Sequence, residues 1–506
     1  MAWRGLSEDV AVAPVAGSGS EARRVLSVAM HALLPSLLPS LLACAGPDGL
    51  PAADRPADTD TAPAAPTVLP LFDGPPPTNI LVLSVDTLRA DHVAPRGEIT
   101  PFLAELAAES LVLTDFTSCS DWTVAATACV LSGASNLDRA VDRGMVPILV
   151  RNVLRAIPPG EAMLPTWLGE AGFSSLLVTS NNYFSDAHGN AQGFDQIVWT
   201  GPVPSTGVWQ AAVRRLDPAE GGTPLPSPWL LHLHFFEPHR PYTAPAEHIV
   251  GLEALPPVPF DLSSVPGQEA ADRAMAAKPP TVTDEEAEAI KESMRLRYAG
   301  EVRWLDAQLR EIWADLDARG LLDDTLVVFW TDHGEELWEH GPAGHGYLLH
   351  RGENDGAAMF WAKNIVPGVW DGPTQGIDLT PTLLELYGLE RPETVTGLPI
   401  GTAPADRVRF AFSDGFVGPV HSVRRGSSLL QFRWPEDEER ENLELYDLSV
   451  DPRELTSLYD PSAPSDEVRE LWDLLRPQVI AAEPWVLEDP RGFTVGWPAG
   501  LPSGAP

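Results

Sequence analysis

Lysine is nearly missing from this chain: Lys278, Lys291 and Lys363 are the only ones in 506 residues. Arginine does not make up the difference. Lys and Arg together number 34 against 71 Asp and Glu, a formal net charge of -37. That balance excludes a basic face tracking nucleic acid and implies a soluble, self-repelling acidic surface. Cysteine is as scarce. Cys44, Cys119 and Cys129 are the whole set, so no disulfide scaffold carries the fold. Cys119 and Cys129 are free to pair in an oxidising compartment, and the sequence leaves that open. No internal repeat is present. The apolar stretch Val25 to Ala43 is broken by Pro35 and Pro39, which argues against a membrane-spanning helix. What the chain does have is 44% hydrophobic residues, 16 Trp among them, and a length beyond one ordinary domain. A large core, two structural units and a tail are expected.

Residues 1–46 read as a signal or lipoprotein-type targeting segment. Arg23-Arg24 precede the apolar stretch, and small residues follow it, as in a secretory signal. The polar lead before Arg23 is long for a signal; a start at Met30 would shorten it but drop the arginines. The ending Leu41-Leu42-Ala43-Cys44 resembles a bacterial lipobox, with Leu42 bulkier than usual. The expectation is an exported protein of the bacterial cell envelope, periplasmic or on the outer surface, lipid-anchored through Cys44. An ordinary apolar N-terminal helix is the plainer alternative. Residues 47–77, rich in Pro, Ala, Asp and Thr, read as a disordered tether. A catalytic domain is expected over 78–405, a small C-terminal β-sheet subdomain over 406–480, and a tail over 481–506.

Two apolar runs organise the large domain. Asn79 to Val85 runs into Asp86, and Leu326 to Trp330 stops at Thr331-Asp332-His333-Gly334. Short and β-rich, the second fully apolar, each reads as a buried strand of a parallel sheet. In open α/β sheets ligands sit beyond the carboxyl ends of such strands. Asp86, Asp332 and His333 therefore stand where a metal can be held, and Gly334 allows the backbone to turn away at once. A third run, Trp229 to Phe236, ends in Glu237-Pro238-His239. Further on, glycines flank His345. Val124 to Leu131 is Ala-rich and helical, which puts Thr123 at a helix N-terminus. Exposed amides there favour an anion or a deprotonated hydroxyl. A simple capping role is the plainer reading of Thr123 alone, and a satisfied loop histidine is the plainer reading of His239.

Shorter expectations complete the pass. Thr100 caps a helix begun by Pro101, and Leu111 to Phe116 is one strand. Residues 251–285 form a long Pro-rich loop, and Asp284 to Leu316 makes one or two amphipathic helices. Past residue 406 the pattern changes to short β runs, with a last helix near Ser465 to Leu475.

Taken in order, these motifs resemble the sulfatase family of the alkaline phosphatase superfamily. The resemblance is carried by the Asp86 strand, Thr100-Pro101-Phe102-Leu103, Trp122-Thr123 through Leu131-Ser132-Gly133, and Glu237-Pro238-His239-Arg240-Pro241-Tyr242. It continues through Asp332-His333-Gly334, Asp378-Leu379-Thr380-Pro381, and Glu444-Leu445-Tyr446-Asp447-Leu448 with Asp451-Pro452. It implies an α/β fold: a mixed, mostly parallel central sheet flanked by helices, closed by a small C-terminal antiparallel sheet and a helix. It implies Asp86, Asp332, His333 and Thr123 as the metal set, and Thr123, His239 and His345 as catalytic.

The chain departs from the family pattern at informative places. Formylglycine-forming sulfatases need Cys in C-x-P/A-x-R; here that cysteine's position is Thr123 and the arginine's is Thr127. Ser180 and His345 stand where sulfate-clamping lysines are usual. Thr87 replaces the second acid of the first motif, and His333 replaces an amide. One imidazole and fewer carboxylates favour Mn²⁺ or Zn²⁺, with Mg²⁺ or Ca²⁺ as alternatives. The resemblance thus implies a metal-dependent hydrolase or transferase of phosphate- or sulfate-type esters, directed to phosphoesters through a Thr nucleophile. Its substrate would be a small-molecule, glycan or lipid ester. The rival expectation is a catalytically impaired lipoprotein of this fold that binds an anionic glycan or lipid.

Overall fold

The computed structural model describes residues 68–93, 99–135, 160–184, 189–413, 419–433, 442–482, 498 and 500–502. The targeting segment with Cys44, most of the tether and most of the tail lie outside them. Pro66–Pro506 forms one compact unit. The stretch read as tether does not run free up to Pro77. Leu69 donates its N–H to Ile400 O at 2.8 Å, Asp73 donates to Asn364 O at 2.7 Å, and Phe72 makes an antiparallel bridge with Ile365.

The central sheet uses β1 (Asn79–Val85), β2 (Leu111–Leu113), β4 (Ser174–Thr179), β5 (Gln196–Trp199), β6 (Trp229–Phe235), β7 (Thr325–Thr331), β8 (Ala358–Trp361) and β9 (Gly368–Trp370). Their order is β5-β4-β6-β1-β7-β8-β2-β9. β1 pairs in parallel with both β6 and β7, while β8 runs antiparallel to β7 and β2. All seven residues of β1 are buried. Side chains alternate across a strand, so a strand with apolar residues on both faces needs both covered. Leu81, Leu83 and Val85 enter one core with Tyr298, Val302 and Leu305; Ile80 and Val82 enter another with Leu379 and Leu383.

The expected strand Leu111 to Phe116 is split. β2 ends at Leu113, and β3 (Phe116–Thr117) pairs instead with β10 (Thr374–Gln375). Helix α1 (Pro101–Ala108) begins after Thr100, but the Thr100 side chain makes no cap bond. Asp306, on a distant helix, does that work: its two carboxylate oxygens accept from Phe102 N and Leu103 N, each at 2.9 Å. The orphan amides of a helix start donate to any well-placed oxygen. Helix α2 (Thr123–Ser132) ends at Gly133, whose φ of 64° suits glycine. A Cβ at Gly133 would also come within 2.8 Å of Val395 Cγ1. Cys119 and Cys129 are joined by a disulfide that encloses Thr123.

Residues 251–285 are not one long loop. Helix α3 (Val265–Ala276) occupies the middle, capped by Ser264 accepting from Gly267 N. Gln268 pins it, donating Nε2 to Tyr242 O and Leu262 O at 2.8 and 3.0 Å. α4 (Asp284–Ala318) is a single 35-residue helix opened by a capping box of Thr283 and Glu286. The C-terminal sheet is antiparallel, in the order β11 (Val408–Ser413), β12 (Val420–Arg425), β13 (Ser428–Arg433) and β14 (Leu443–Asp447). Its core of Val423, Leu430 and Phe432 meets Leu471 and Trp472 of the last helix, Asp466–Ala482.

Candidate active site

The carboxyl ends of β1, β6 and β7 are adjacent because those strands are parallel neighbours in the order β6-β1-β7. Asp86, His239 and the Asp332-His333 pair are therefore delivered to one edge of the sheet, where such folds place their ligands. Asp86, Asp332 and His333 are all fully or nearly fully buried, and Thr123 joins them from the first position of α2. Thr123 Oγ1 lies 3.4 Å from Asp86 Oδ2 and 3.4 Å from His333 Nε2. His333 Nε2 is 3.7 Å from Asp86 Oδ1 and 3.7 Å from Asp332 Oδ2.

Hydrogen bonds fix which atoms face the centre. His333 Nδ1 sits 2.9 Å from Gly334 O, and a carbonyl only accepts, so Nδ1 carries the proton. The Nε2 lone pair of neutral His333 then points at two carboxylates. Asp332 Oδ1 accepts from Thr87 N and His333 N at 3.1 and 2.7 Å, while Oδ2 is buried without a partner. Asp86 Oδ2 accepts from Asn181 Nδ2 at 2.6 Å, while Oδ1 has no hydrogen bond. His234 on β6 shares Nδ1 with Ser84 Oγ at 2.7 Å and leaves Nε2 unpartnered. Asp86, His234 and Asp332 each offer one ligand atom, all within 4.8 Å of one another. Orphaned carboxylate oxygens and imidazole lone pairs facing one point fit a divalent cation; without one, buried groups of this kind are costly.

The electrostatics agree with that fit. Burial opposes the charge on Asp86, but His239, His234 and His333 hold its carboxyl well below the usual range. Burial and the Asp86 charge push Asp332 well above it. Burial and His345 lower His333 to about 3, so its imidazole is neutral.

His345 and His239 form the rim. His345 Nδ1 meets Glu335 Oε1 at 2.9 Å, and Glu335 Oε2 accepts from Tyr242 Oη at 3.1 Å. Burial works against the His345 cation, yet Glu335 raises its pKa above the ordinary value. Burial lowers that of His239. The His239 ring stacks on Phe236 at 4.3 Å and meets His345 edge-on at 5.0 Å; its Nδ1 is bound to Arg240 O at 2.5 Å. His345 lies 4.7 Å from His333, centroid to centroid.

The backbone beneath the site is tightly constrained. Thr87, directly after Asp86, has φ of 52°, which is strained for a β-branched residue. Tyr298 Oη donates to Thr87 O at 2.7 Å and accepts from Arg89 N at 2.9 Å, holding that turn. Arg89 donates Nη1 to Glu335 O and pairs with Asp91 and Glu339. Gly334 is required by close approach rather than by a turn: a Cβ there would stand 2.0 Å from Gly352 O.

All the residues singled out from the sequence, Asp86, Thr123, His239, Asp332, His333 and His345, are thus brought together. Thr127, at the place of the motif arginine, is turned inward, donating to Thr123 O at 2.6 Å and accepting from Asn190 Nδ2. Sequence reasoning missed His234 and Asn181, and it offered Glu335 only as a further metal ligand, not as the partner of His345. His232 and His234 alternate with apolar residues in an otherwise buried strand, which was the available signal for the first. Asn181 follows β4 and was recognisable only once β4 was known to neighbour β6.

Comparison with known proteins fits this arrangement. The family model described as Sulfatase matches residues 78–389. A choline-sulfatase of Rhizobium meliloti (strain 1021) is 28% identical over 240 residues, 45% of this chain and 46% of that protein. The multifunctional alkaline phosphatase superfamily protein PehA of Trinickia caryophylli is 29% identical over 263 residues, covering 45% and 51%. The chain spans about half the length of these curated relatives. Among solved structures, a phosphonate monoester hydrolase from Silicibacter pomeroyi superposes with a TM-score of 0.58 at 20% identity, over 81% of this chain and 95% of that one. That likeness is one of fold.

Proposed function

The chain belongs to the sulfatase family, and on that footing we propose that it is a metal-dependent hydrolase or transferase of phosphate-type esters whose nucleophile is Thr123. The observation that carries this reading is the position of Thr123 Oγ1, 3.4 Å from both Asp86 Oδ2 and His333 Nε2 at the start of a helix. Asp86, Asp332, His234 and His333 would hold the cation, and this donor set of imidazoles and carboxylates favours Mn²⁺ or Zn²⁺. A divalent cation there supplies Lewis acidity and makes a hydroxyl an adequate nucleophile near neutral pH.

Thr123 then attacks phosphorus, forming the Oγ–P bond as the ester oxygen leaves. The Thr123 proton is lost to solvent, because the Asp86 carboxylate is held weakly basic and the one lone pair of neutral His333 would be taken by the cation. His345, whose protonated form Glu335 favours, gives a proton to the departing oxygen. His239 carries its proton on Nδ1 against Arg240 O, which leaves Nε2 as an acceptor able to take up a proton at the rim. Water or an acceptor alcohol releases the phosphoryl group. A sulfo-threonine would be harder to release, because formylglycine enzymes discharge sulfate from a hydrate that threonine cannot form. A screen of phosphomonoesters, phosphodiesters and sulfate esters with several metals tests this. Phosphoesters should be turned over fastest. Preferential sulfate release would end the phosphoester assignment. Binding of anionic glycan or lipid with no turnover of any ester would favour a binding protein, a reading supported by the loss of a guanidinium at Thr127.

Export and anchoring through Cys44 belong to the same proposal. The Cys119–Cys129 disulfide supports it, since such bridges persist in oxidising compartments. Cys44→Ser should release the protein from the membrane fraction or block its processing. A mature protein with an unmodified N-terminus upstream of Cys44 would rule the anchor out.

A further inference from the structure

Strands β1 and β6 set three polar side chains on the apolar face that carries Ile80, Val82 and Leu230, and the proposed chemistry uses only one of them. In the parallel register Ser84 lies opposite His234, and His232 shares their face two residues earlier. All three are buried, Ser84 and His234 at 0% exposure and His232 at 1%. Ser84 Oγ stands between the two rings, 2.8 Å from His232 Nε2 and 2.7 Å from His234 Nδ1. The other nitrogen of each ring has no hydrogen bond. His234 Nε2 faces Asp86 Oδ2 at 3.8 Å. The His232 ring is flanked by Phe184 and Phe194, at 5.7 and 6.0 Å between centroids.

One hydroxyl proton cannot serve both rings. A serine donates once, and a neutral imidazole has one N–H and one lone pair. Burial lowers the His232 pKa to about 3, so that ring is neutral. In one arrangement His232 Nε2–H donates to Ser84 Oγ, and Ser84 donates to His234 Nδ1. The His234 proton then sits on Nε2, toward Asp86. In the other, His234 Nδ1–H donates to Ser84, and Ser84 donates to His232 Nε2. His234 then turns its Nε2 lone pair toward Asp86 and Asp332. Only the second arrangement leaves that nitrogen able to bind a cation.

We infer that Ser84 and His232 are positioning residues for the cation: His232 accepts the Ser84 hydroxyl and so holds His234 in the form that offers Nε2 to the ion. The inference rests on the proposed cation site at Asp86, Asp332, His234 and His333, and it adds two residues that touch neither ion nor substrate. Metal-bound histidines are held in this way through their second nitrogen. Here the partner is a hydroxyl whose own direction is set by a further imidazole. The arrangement has a cost, because it puts the His232 proton on Nδ1, where no acceptor meets it. Without an ion the opposite direction is favoured, since it turns an N–H to the Asp86 carboxylate and strands only a lone pair on His232. Binding of the ion thus selects the direction of both hydrogen bonds.

The test uses the full chain and its affinity for Zn²⁺, read by competition with a chromophoric chelator rather than by turnover. Ser84→Ala leaves His234 Nδ1 without a partner, so the ring keeps its proton on Nε2 against Asp86, and affinity should fall about 10–100-fold. His232→Leu should lose as much: with no acceptor at the far end, the Ser84 hydroxyl turns to His234 Nδ1. His232→Gln should stay close to the parent, because its amide oxygen accepts from Ser84 in place of Nε2. A histidine that only filled space between Phe184 and Phe194 would give the reverse order, since those surroundings take Leu more readily than Gln. Parent-level affinity in Ser84→Ala, or a loss in His232→Gln as large as in His232→Leu, would overturn the inference. Should the His232 variants not fold, Ser84→Ala, the smallest change of the three, decides alone. Asp332→Asn separates the failures. If it loses the ion while Ser84→Ala keeps full affinity, this inference falls and the cation site stands. If Asp332→Asn keeps full affinity as well, both fall.

Discussion

Thr123→Ala should lose several orders of magnitude in kcat/KM, on the order of 10⁴ or more, as removal of a nucleophile does elsewhere. The fold should be unaffected. Thr123 is the first helical residue and not the cap of α2, and its side-chain contacts to Asp86 Oδ2 and His333 Nε2 are long at 3.4 Å. The helix start is held by other means. Thr127 Oγ1 binds Thr123 O, Asn190 binds Thr127, and the disulfide encloses the segment. None of these depends on the Thr123 hydroxyl. Thr123→Ser keeps the oxygen and should keep a measurable fraction of activity, with the loss reporting the methyl group's share in positioning. Quenching the parent during turnover should trap phosphate on the peptide containing Thr123. Full activity in Thr123→Ala, with metal content unchanged, would reduce Thr123 to a helix residue beside somebody else's nucleophile.

The elements that position this site were legible because buried parallel strands read as unbroken apolar runs. β7 appears so, β1 and β6 do with only Ser84, His232 and His234 interrupting them, and each of the three runs into a residue that can bind a cation or a proton. What a strand end delivers can be read directly. What lies inside a strand cannot, without register. His234 is opposite Ser84 in the β1–β6 pairing, and it shares a face with His232 because side chains alternate. From the sequence alone either face was open to it. Glu335 was similarly hidden: its role depends on Tyr242 and His345, which arrive from other segments. Helix α3 was missed for a different reason. It is rich in Ala and charged residues, buries only Gln268, Ala271 and Ala274, and takes its hold from the polar Gln268 rather than an apolar stripe. The cap of α1 fell to Asp306 because tertiary contact offered a better acceptor than the adjacent Thr100.

Asp332→Ala should remove the cation beside Thr123 and, with it, turnover. The argument starts from the two oxygens of one side chain. Oδ1 is a structural acceptor for Thr87 N and His333 N; Oδ2 is buried, unpartnered and 3.7 Å from the His333 lone pair. Alanine removes both functions. Losing Oδ1 strands two buried amides, at about 1–3 kcal/mol each before relaxation, and lets go of the strained Thr87 turn. A lower melting temperature in Asp332→Ala is therefore expected and by itself says nothing of metal. Asp332→Asn separates the effects, because its amide oxygen can still accept at the Oδ1 position while an NH₂ replaces the metal-facing oxygen. An NH₂ has no lone pair to give a cation and adds positive edge where His234 and His333 already crowd. Asp332→Asn should accordingly melt close to the parent yet bind about one equivalent less metal, and it should show the same catalytic defect as Asp332→Ala. If elemental analysis finds parent-level metal in both variants under limiting free ion, the cation does not sit between Asp86 and Asp332. The orphaned oxygens there would then need a proton shared between two buried carboxylates.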